Sequence, residues 1–166
     1  MTPGQARKDA LTVALNYLSS RPRSIFEVRT KLKDKGFEAA EIDGTVSRLI
    51  EASYLDDEKF AAILVESRLR FKNWGPAKIA RDLEKKGIPK ETIARLLSGS
   101  TVASDIAARE AARKWMKKNR LSPPLERKDT ERAFRFLSSR GFSPSVIFEV
   151  IREMGRDAPQ APPDEL

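Results

Sequence analysis

One short pattern occurs three times in this 166-residue chain, and it restricts the possible folds more than any other feature. In each copy a leucine is followed by three residues, a glycine, a phenylalanine or isoleucine, four residues and an isoleucine. The copies align without a gap and read LKDKGFEAAEI (32–42), LEKKGIPKETI (83–93) and LSSRGFSPSVI (137–147). A period of about fifty residues is typical of chains built from small stacked helical units.

Each glycine of the pattern stands where a helix is predicted to end. Gly36, Gly87 and Gly141 follow a lysine or arginine, which favours the negative end of a helix dipole. Glycine also adopts the left-handed conformation that closes a helix at little cost. In the third copy, Ser143 suits the N-cap and Pro144 the first turn of the next helix. The pattern therefore predicts a helix, a glycine turn and a second helix, three times over.

A further helix is predicted before each of these pairs. Ser24 and Glu27 fit a capping box at the start of the second helix of the first unit. The apolar residues at helical spacing in the three preceding helices are Leu11, Leu15 and Leu18; Phe60, Leu64 and Phe71; and Ala108, Ala111, Ala112 and Trp115.

The sequence therefore predicts an all-α fold of three tandem three-helix repeats, which form an elongated, curved array. The predicted repeats are residues 1–54, 55–100 and 101–156. A Pro-rich tail, residues 157–166, is predicted to be disordered.

The composition excludes several kinds of site. The chain has neither cysteine nor histidine, which rules out disulfides, zinc fingers and Ser-His-Asp triads. It also lacks a GxGxxG motif and a P-loop. No apolar run is long enough to span a membrane and no signal peptide is recognised, so we expect a cytoplasmic protein.

The formal net charge of +8 is concentrated in the middle of the chain. Residues 66–120 contain 15 basic and 6 acidic residues, whereas residues 1–65 are balanced and residues 121–166 carry a small acidic excess. Such a basic zone indicates a polyanionic partner, most often nucleic acid, or an acidic protein surface. The alternative is a solvated surface that has no partner.

Two predicted helices carry this charge as stripes. Lys78, Arg81 and Lys85 share one side of a helix predicted from Gly75 to Lys86, opposite Ile79, Ala80 and Leu83, and Arg109, Arg113 and Lys117 share one face of a helix near 104–119. We predict that these stripes form one positive track. For Trp74, packing against the adjacent turn is favoured over stacking on a base or partner. The candidate binding residues are Lys72, Lys78, Arg81, Lys85, Lys86, Arg113, Lys117 and Lys118.

Three adjacent carboxylates, Asp56, Asp57 and Glu58, are a candidate metal or catalytic site. They stand where the fourth helix is predicted to begin, so Asp56 or Asp57 is interpreted as its N-cap, in an acidic first turn. A metal site needs further ligands, and no second acidic motif has suitable spacing. We therefore predict no catalytic residue, no metal and no cofactor, and we disfavour a nuclease.

The residues that anchor the repeats also carry a family resemblance. The segments YLDDEKFA (54–61) and WGPAKIARDLEKKGI (74–88), with SIFEVRTKLKDKGF (24–37) upstream, resemble the RecX family of bacterial recombinase regulators. The resemblance covers about residues 8–155. The residues that match the family pattern are Leu55, Asp56, Asp57, Phe60, Ala61, Gly75, Ile79, Leu83, Lys86, Gly87 and Ile88.

The resemblance implies a protein without enzymatic activity that binds RecA and lies along the groove of the RecA–DNA filament. It implies inhibition, in the main, of the recombinase's ATPase, strand exchange and co-protease activities, and hence regulation of DNA repair, homologous recombination and the SOS response. Several members of the family also bind DNA. The alternative function is a helical module that acts directly on single- or double-stranded nucleic acid. We expect a monomer with no membrane partner.

Overall fold

The computed structural model describes residues 9–156, and within this range the chain forms nine α-helices and no β-strand. The all-α prediction is confirmed, while the predicted disorder of residues 157–166 lies outside the described residues. No helix between residues 9 and 156 is both long and apolar enough to cross a membrane. The helices are α1 (Ala10–Leu18), α2 (Ile25–Asp34), α3 (Ala39–Glu51), α4 (Asp57–Lys72), α5 (Pro76–Glu84), α6 (Lys90–Ser98), α7 (Thr101–Asn119), α8 (Arg127–Ser139) and α9 (Pro144–Arg156).

The three glycine turns have the predicted conformation. Gly36, Gly87 and Gly141 have φ angles of 76°, 77° and 88°, in the left-handed region that favours glycine. In each turn the N–H of the apolar residue after the glycine donates to the carbonyl of the leucine four residues before the glycine, as in a Schellman motif. The pairs are Phe37 with Leu32 (3.2 Å), Ile88 with Leu83 (3.2 Å) and Phe142 with Leu137 (3.3 Å). The turn itself requires only the glycine, whereas the leucine and the apolar residue recur because their side chains are buried.

The chain divides into two compact units, and several helices contribute to both. Among the described residues, unit 1 contains 9–64 and 82–96, and unit 2 contains 65–81 and 97–156. The first half of α4 therefore belongs to unit 1 and its second half to unit 2. The three repeat boundaries and the elongated array remain predictions.

Each unit has an apolar core, although α1 buries Ala10 and Ala14 in it and leaves Leu15 exposed. In unit 1, Val28, Leu32 and Leu49 are at most 1% exposed. In unit 2, small alanines bury one side of α7, and Trp115 is 9% exposed and stacks on Phe136 with ring centroids 6.0 Å apart. The predicted core position of Trp115 is confirmed.

The prediction that Phe71 shares a core face with Phe60 and Leu64 is wrong. Phe71 is 70% exposed, although Phe60 is buried. The buried residues of the second half of α4 are Val65 and Leu69, which lie on a different side of the helix. The reason is that α4 passes from one unit to the other, so its two halves bury different faces. A single helical stripe does not describe such a helix.

A glycine contact between helix ends occurs in both units. In unit 1, a Cβ added to Gly87 would lie 2.6 Å from the Cβ of Phe26, in the first turn of α2. In unit 2, a Cβ added to Gly75 would lie 2.4 Å from the carbonyl carbon of Gly141. No real Cβ tolerates these distances, so glycine is required for the close approach. The contact in unit 2, between Gly75 to Ala77 and Arg140 to Gly141, is called the glycine joint below.

Candidate polyanion-binding surface

The glycine joint fixes where α5 begins. The N–H groups of Gly75 and Ala77 donate to the carbonyls of Arg140 and Gly141, at 2.7 and 3.1 Å. Donors at the start of α5 thereby satisfy acceptors at the end of α8, and both sets would otherwise lack partners. A Cβ on Gly141 would also lie 2.4 Å from the backbone nitrogen of Lys78. The backbone of Lys78, a predicted binding residue, is therefore held tightly against the joint.

Two cations contact the ring of Trp74 beside the joint. Its ring centroid is 5.0 Å from the guanidinium of Arg68 and 4.6 Å from the ammonium of Lys78. The backbone N–H of Trp74 donates to the backbone carbonyl of Arg68 at 3.1 Å, and the residue is half-buried. Each cation–π contact contributes about 0.5–1 kcal/mol at an exposed position. Trp74 thus packs within the turn and holds two positive charges near each other.

A further contact beside the joint links Arg140 to the main chain of Lys72. The guanidinium of Arg140 donates to the carbonyl of Lys72 at 2.7 Å and lies 5.0 Å from the ring of Phe136. Among the described residues, no carboxylate forms an ion pair with Lys72, Lys78 or Arg140. Arg68, Lys72, Lys78 and Arg140 are called the basic joint cluster below.

The structure places the main chain of Lys72 and of Lys78 beside the end of α8, and it adds Arg68 and Arg140, which were not among the predicted site residues. From the sequence, Arg140 was predicted only as a basic residue at a helix end. Its partner lies 68 positions away along the chain. No local pattern in the sequence signals a contact of that separation.

Lys85 and Lys86 lie beyond α5, which ends at Glu84, two residues earlier than predicted. Lys85 is exposed, whereas the ammonium of Lys86 lies 3.6 Å from Glu27 and 3.9 Å from Asp82. Burial works to raise the pKa of Glu27, but hydrogen bonds from Arg21 and the Ser24 N–H, with the charge of Lys86, hold it below its usual range. Lys86 is therefore largely neutralised by its own chain.

The cations of α7 differ in how far they are already paired. The guanidinium of Arg109 donates to both carboxylate oxygens of Glu153, at 2.7 and 3.0 Å, and these hydrogen bonds raise the pKa of Arg109. Arg113 is exposed and lies 2.6 Å from Glu110. Lys117 and Lys118 are exposed, and no ion pair involves them in the described part of the chain. The single track joining α5 and α7 remains a prediction.

The three carboxylates of the YLDDEKFA segment have separate structural partners. Asp56 accepts a hydrogen bond from the Lys59 N–H at 2.9 Å, so the predicted N-cap of α4 is confirmed. Asp57 accepts from the N–H of Ile25, the first residue of α2, at 2.8 Å. Glu58 pairs with Arg95 at 2.9 Å.

Asp57 thus caps a helix that begins 32 residues earlier in the chain, a role that the sequence did not reveal. Burial raises the pKa of Asp57, as do the charges of Asp56 and Glu27, against the lowering effect of the Ile25 hydrogen bond. Across residues 9–156, no group of three acidic side chains is placed to hold a metal ion.

Three family models match consecutive parts of this chain. They describe the first, second and third three-helix domains of RecX, and they match residues 10–49, 56–97 and 105–151. Each matched segment covers three of the nine helices described above, apart from a few residues at helix ends.

Curated relatives are similar over most of the chain. The regulatory protein RecX of Chlorobium limicola is 32% identical over 162 residues, which cover 96% of this chain and 98% of that protein. The regulatory protein RecX of Bacillus licheniformis is 36% identical over 152 residues, but the match covers only 57% of its length. The chain therefore spans little more than half of some of the relatives that it matches.

A solved structure has the same fold. The crystal structure of RecX from Lactobacillus salivarius superposes with a TM-score of 0.75, over 87% of this chain and 94% of that chain. At 24% identity, this likeness concerns the fold alone.

Proposed function

Because the chain belongs to the RecX family, we propose that it regulates a RecA-type recombinase by binding RecA and the RecA–DNA filament. Its main effect is to inhibit the recombinase's ATPase, strand exchange and co-protease activities. It thereby regulates homologous recombination, the SOS response and DNA repair in the cytoplasm. It acts by binding, and no residue has a catalytic role.

The observation that carries this proposal is the basic joint cluster. Two of its cations contact one ring, Trp74, from distances of 5.0 and 4.6 Å. Like charges that contact the same ring repel each other. An array of phosphates or carboxylates relieves that repulsion and attracts the cluster over long range. A filament of protein and DNA presents both kinds of group.

The flanking cations extend this surface along their own helices. Arg81 is exposed and its Nε donates to the Ala77 carbonyl at 3.2 Å, while Arg113 and Lys117 are exposed on α7. Lys86 contributes least, because two carboxylates already surround it. The residues proposed to contact RecA or DNA are Lys72, Lys78, Arg81, Lys85, Lys86, Arg113, Lys117 and Lys118, joined by Arg68 and Arg140.

The proposal is tested by reversing three charges together, Lys78→Glu, Arg81→Glu and Lys85→Glu. None of the three side chains is buried, so the fold should persist, and glutamate at position 78 suits the first turn of α5. We expect weaker binding to RecA–DNA filaments and loss of ATPase inhibition at low protein concentration. The measurement is DNA-dependent RecA ATPase, with circular dichroism to confirm helicity and melting. Wild-type inhibition should weaken as salt rises, because exposed charges are screened and phosphate contacts release counterions.

A matched control reverses three exposed cations outside the basic middle of the chain, Lys33→Glu, Lys128→Glu and Arg135→Glu. This variant has the same net charge as the test variant and should inhibit like wild type. If the folded test variant inhibited RecA as well as the control did, the stripe of Lys78, Arg81 and Lys85 would be only a solvated surface.

Direct action on nucleic acid is the second candidate, since the same cluster suits a phosphate backbone. It predicts binding to single- or double-stranded DNA without RecA, and effects on DNA transactions that do not involve RecA. This candidate is excluded if the protein still changes the RecA ATPase under conditions in which it binds RecA but binds no measurable DNA.

A further inference from the structure

A side-chain hydrogen bond ties the end of α4 to α7 within unit 2. The ammonium of Lys114, on α7, donates to the side-chain oxygen of Asn73 at 3.0 Å. Asn73 is the first residue after α4, is only 5% exposed and has a left-handed φ of 49°. A buried amide oxygen needs a hydrogen-bond partner, and Lys114 provides it from 41 positions along the chain. Lys114 was not among the predicted site residues.

This hydrogen bond places a further cation at the basic joint cluster. Asn73 stands in the chain between Lys72 and Trp74. The carbonyl of Lys72 accepts from Arg140, and the ring of Trp74 contacts two more cations. Cations from α7 and from the end of α8 therefore bind two consecutive residues, Lys72 and Asn73, at the end of α4.

The contacts of Lys114 leave part of its ammonium available. The ammonium lies 3.3 Å from a carboxylate oxygen of Glu110, one turn earlier on α7, and the Lys114 side chain is still 60% exposed. A lysine ammonium carries three N–H donors, and its acceptors among residues 9–156 are Asn73 and Glu110. One donor is therefore left for an external anion. Because two acceptors already restrict the side chain, less rotamer freedom is lost when it binds.

We propose that Lys114 donates to a backbone phosphate of the filament's DNA and that Asn73 positions it for this contact. The inference deepens the proposed function and rests on it for the ligand. A lysine ammonium is a common ligand of phosphate. Lys117 and Lys118, three and four positions after Lys114, lie on the same face of α7, so the cations form a row and not a single spot. A row of cations suits a polymer whose charges recur along its length, which favours DNA over an isolated acidic side chain of RecA.

Binding of the full-length protein to a fluorescein-labelled single-stranded oligonucleotide, followed by anisotropy, tests the contact. Lys114→Gln should bind more weakly than wild type, whereas Lys114→Arg, which keeps the charge, should lose less. One phosphate contact contributes about 0.7 to the log–log salt slope on a single strand, so a fourfold rise in salt should weaken wild type roughly 2.6-fold more than Lys114→Gln. The matched control is Arg127→Gln, which also removes an exposed cation paired at 3.3 Å with an acid four positions away.

A double-mutant cycle separates positioning from a merely structural role. Asn73→Gly suits the left-handed backbone and removes the acceptor, so it should weaken oligonucleotide binding. In the Lys114→Gln background the same change should add nothing, because Asn73 acts through Lys114. A loss of structure alone would weaken binding equally in both backgrounds. Circular dichroism checks that every variant is folded at the assay temperature.

The DNA contact is overturned if wild type binds no oligonucleotide, or if Lys114→Gln matches Arg127→Gln in affinity and salt dependence. It is also overturned if Lys114→Gln loses affinity for RecA alone and keeps its affinity for the oligonucleotide, since the residue would then contact an acidic surface of RecA. Equal losses from Asn73→Gly in both backgrounds would refute the positioning role.

Failure of this contact is distinguishable from failure of the proposed function. If the reversed stripe of Lys78, Arg81 and Lys85 still inhibits RecA while Lys114→Gln binds the oligonucleotide weakly, the proposed role of the stripe fails and the DNA contact stands. If the reversed stripe loses inhibition while Lys114→Gln behaves as its control does, the proposed function stands and the contact of Lys114 fails.

Discussion

Replacing Asp57 by alanine removes the acceptor of the Ile25 N–H at the start of α2. That N–H is one of the first N–H groups of α2, which have no partner within the helix itself. The loss of a capping acceptor costs about 0.5–2 kcal/mol, and a full free energy of burial does not apply because Asp57 is only half-buried. For a chain of this size, 1 kcal/mol corresponds to about 2–4 °C in melting temperature. We therefore expect Asp57→Ala to melt about 1–8 °C below wild type.

Asparagine at the same position separates the acceptor from the charge. Asp57→Asn keeps an oxygen for the Ile25 N–H and removes a charge that burial, Asp56 and Glu27 all disfavour. We expect its free energy of unfolding at neutral pH to equal or exceed that of wild type. Glu58→Ala is the matched control, since its pair with Arg95 is exposed and contributes at most about 1 kcal/mol.

The pH dependence follows from the raised pKa of Asp57. A carboxyl whose pKa is raised on folding contributes most stability below its unfolded value, 3.8, and this contribution is lost as the pH rises through the folded pKa. The advantage of Asp57→Asn over wild type should therefore be present at neutral pH and vanish below pH 3.8. Urea unfolding followed by circular dichroism measures both. If Asp57→Asn were as unstable as Asp57→Ala at neutral pH, the charge itself would hold the contact, and the reasoning from the acceptor would be wrong.

Gly75→Ala should be strongly destabilising in urea unfolding, because its Cβ would meet the Gly141 backbone at 2.4 Å, and retention of wild-type stability would rule out the joint as described. Gly44→Ala, within α3 and with no atom within 4 Å of the added Cβ, should instead stabilise by about 0.5–1 kcal/mol; a loss of stability would show that this helix tolerates no added methyl. Trp74→Leu should lower stability by about 1–2 kcal/mol, from two cation–π contacts, while Trp74→Phe should lose less. Equal losses in the two Trp74 variants, measured by thermal melting, would show that the ring does not hold its cations.

The sequence predicted local features well, because their causes lie within a few residues. The left-handed glycine turns, the Ser24–Glu27 capping box and the Asp56 cap depend on contacts spanning three to five positions, and all are present. The exposure of Phe71 was missed because α4 is shared between two units, which no single periodicity encodes.

The candidate site was predicted only in part, because its contacts join residues that are far apart in the sequence. Lys78 was predicted from charge and helical spacing and Lys72 as a flanking cation, but the approach of their main chain to Arg140 and Gly141 depends on hydrogen bonds between residues more than sixty positions apart. Lys86 was predicted as a cation that flanks the stripe, yet Glu27 and Asp82 surround it in the folded chain. Spacing along one helix cannot show which carboxylate another helix supplies.

The glycine joint is built from main-chain atoms, and this has a consequence for how the surface around it can change. Arg140 contributes its carbonyl and Ala77 its N–H, which nearly any residue could supply, so only the two glycines are fixed by their identity. Substitutions among the neighbouring exposed side chains therefore leave the backbone that displays them in place. A lineage could replace this positive surface by an acidic or an apolar one, one residue at a time, and acquire a different partner without first losing the fold.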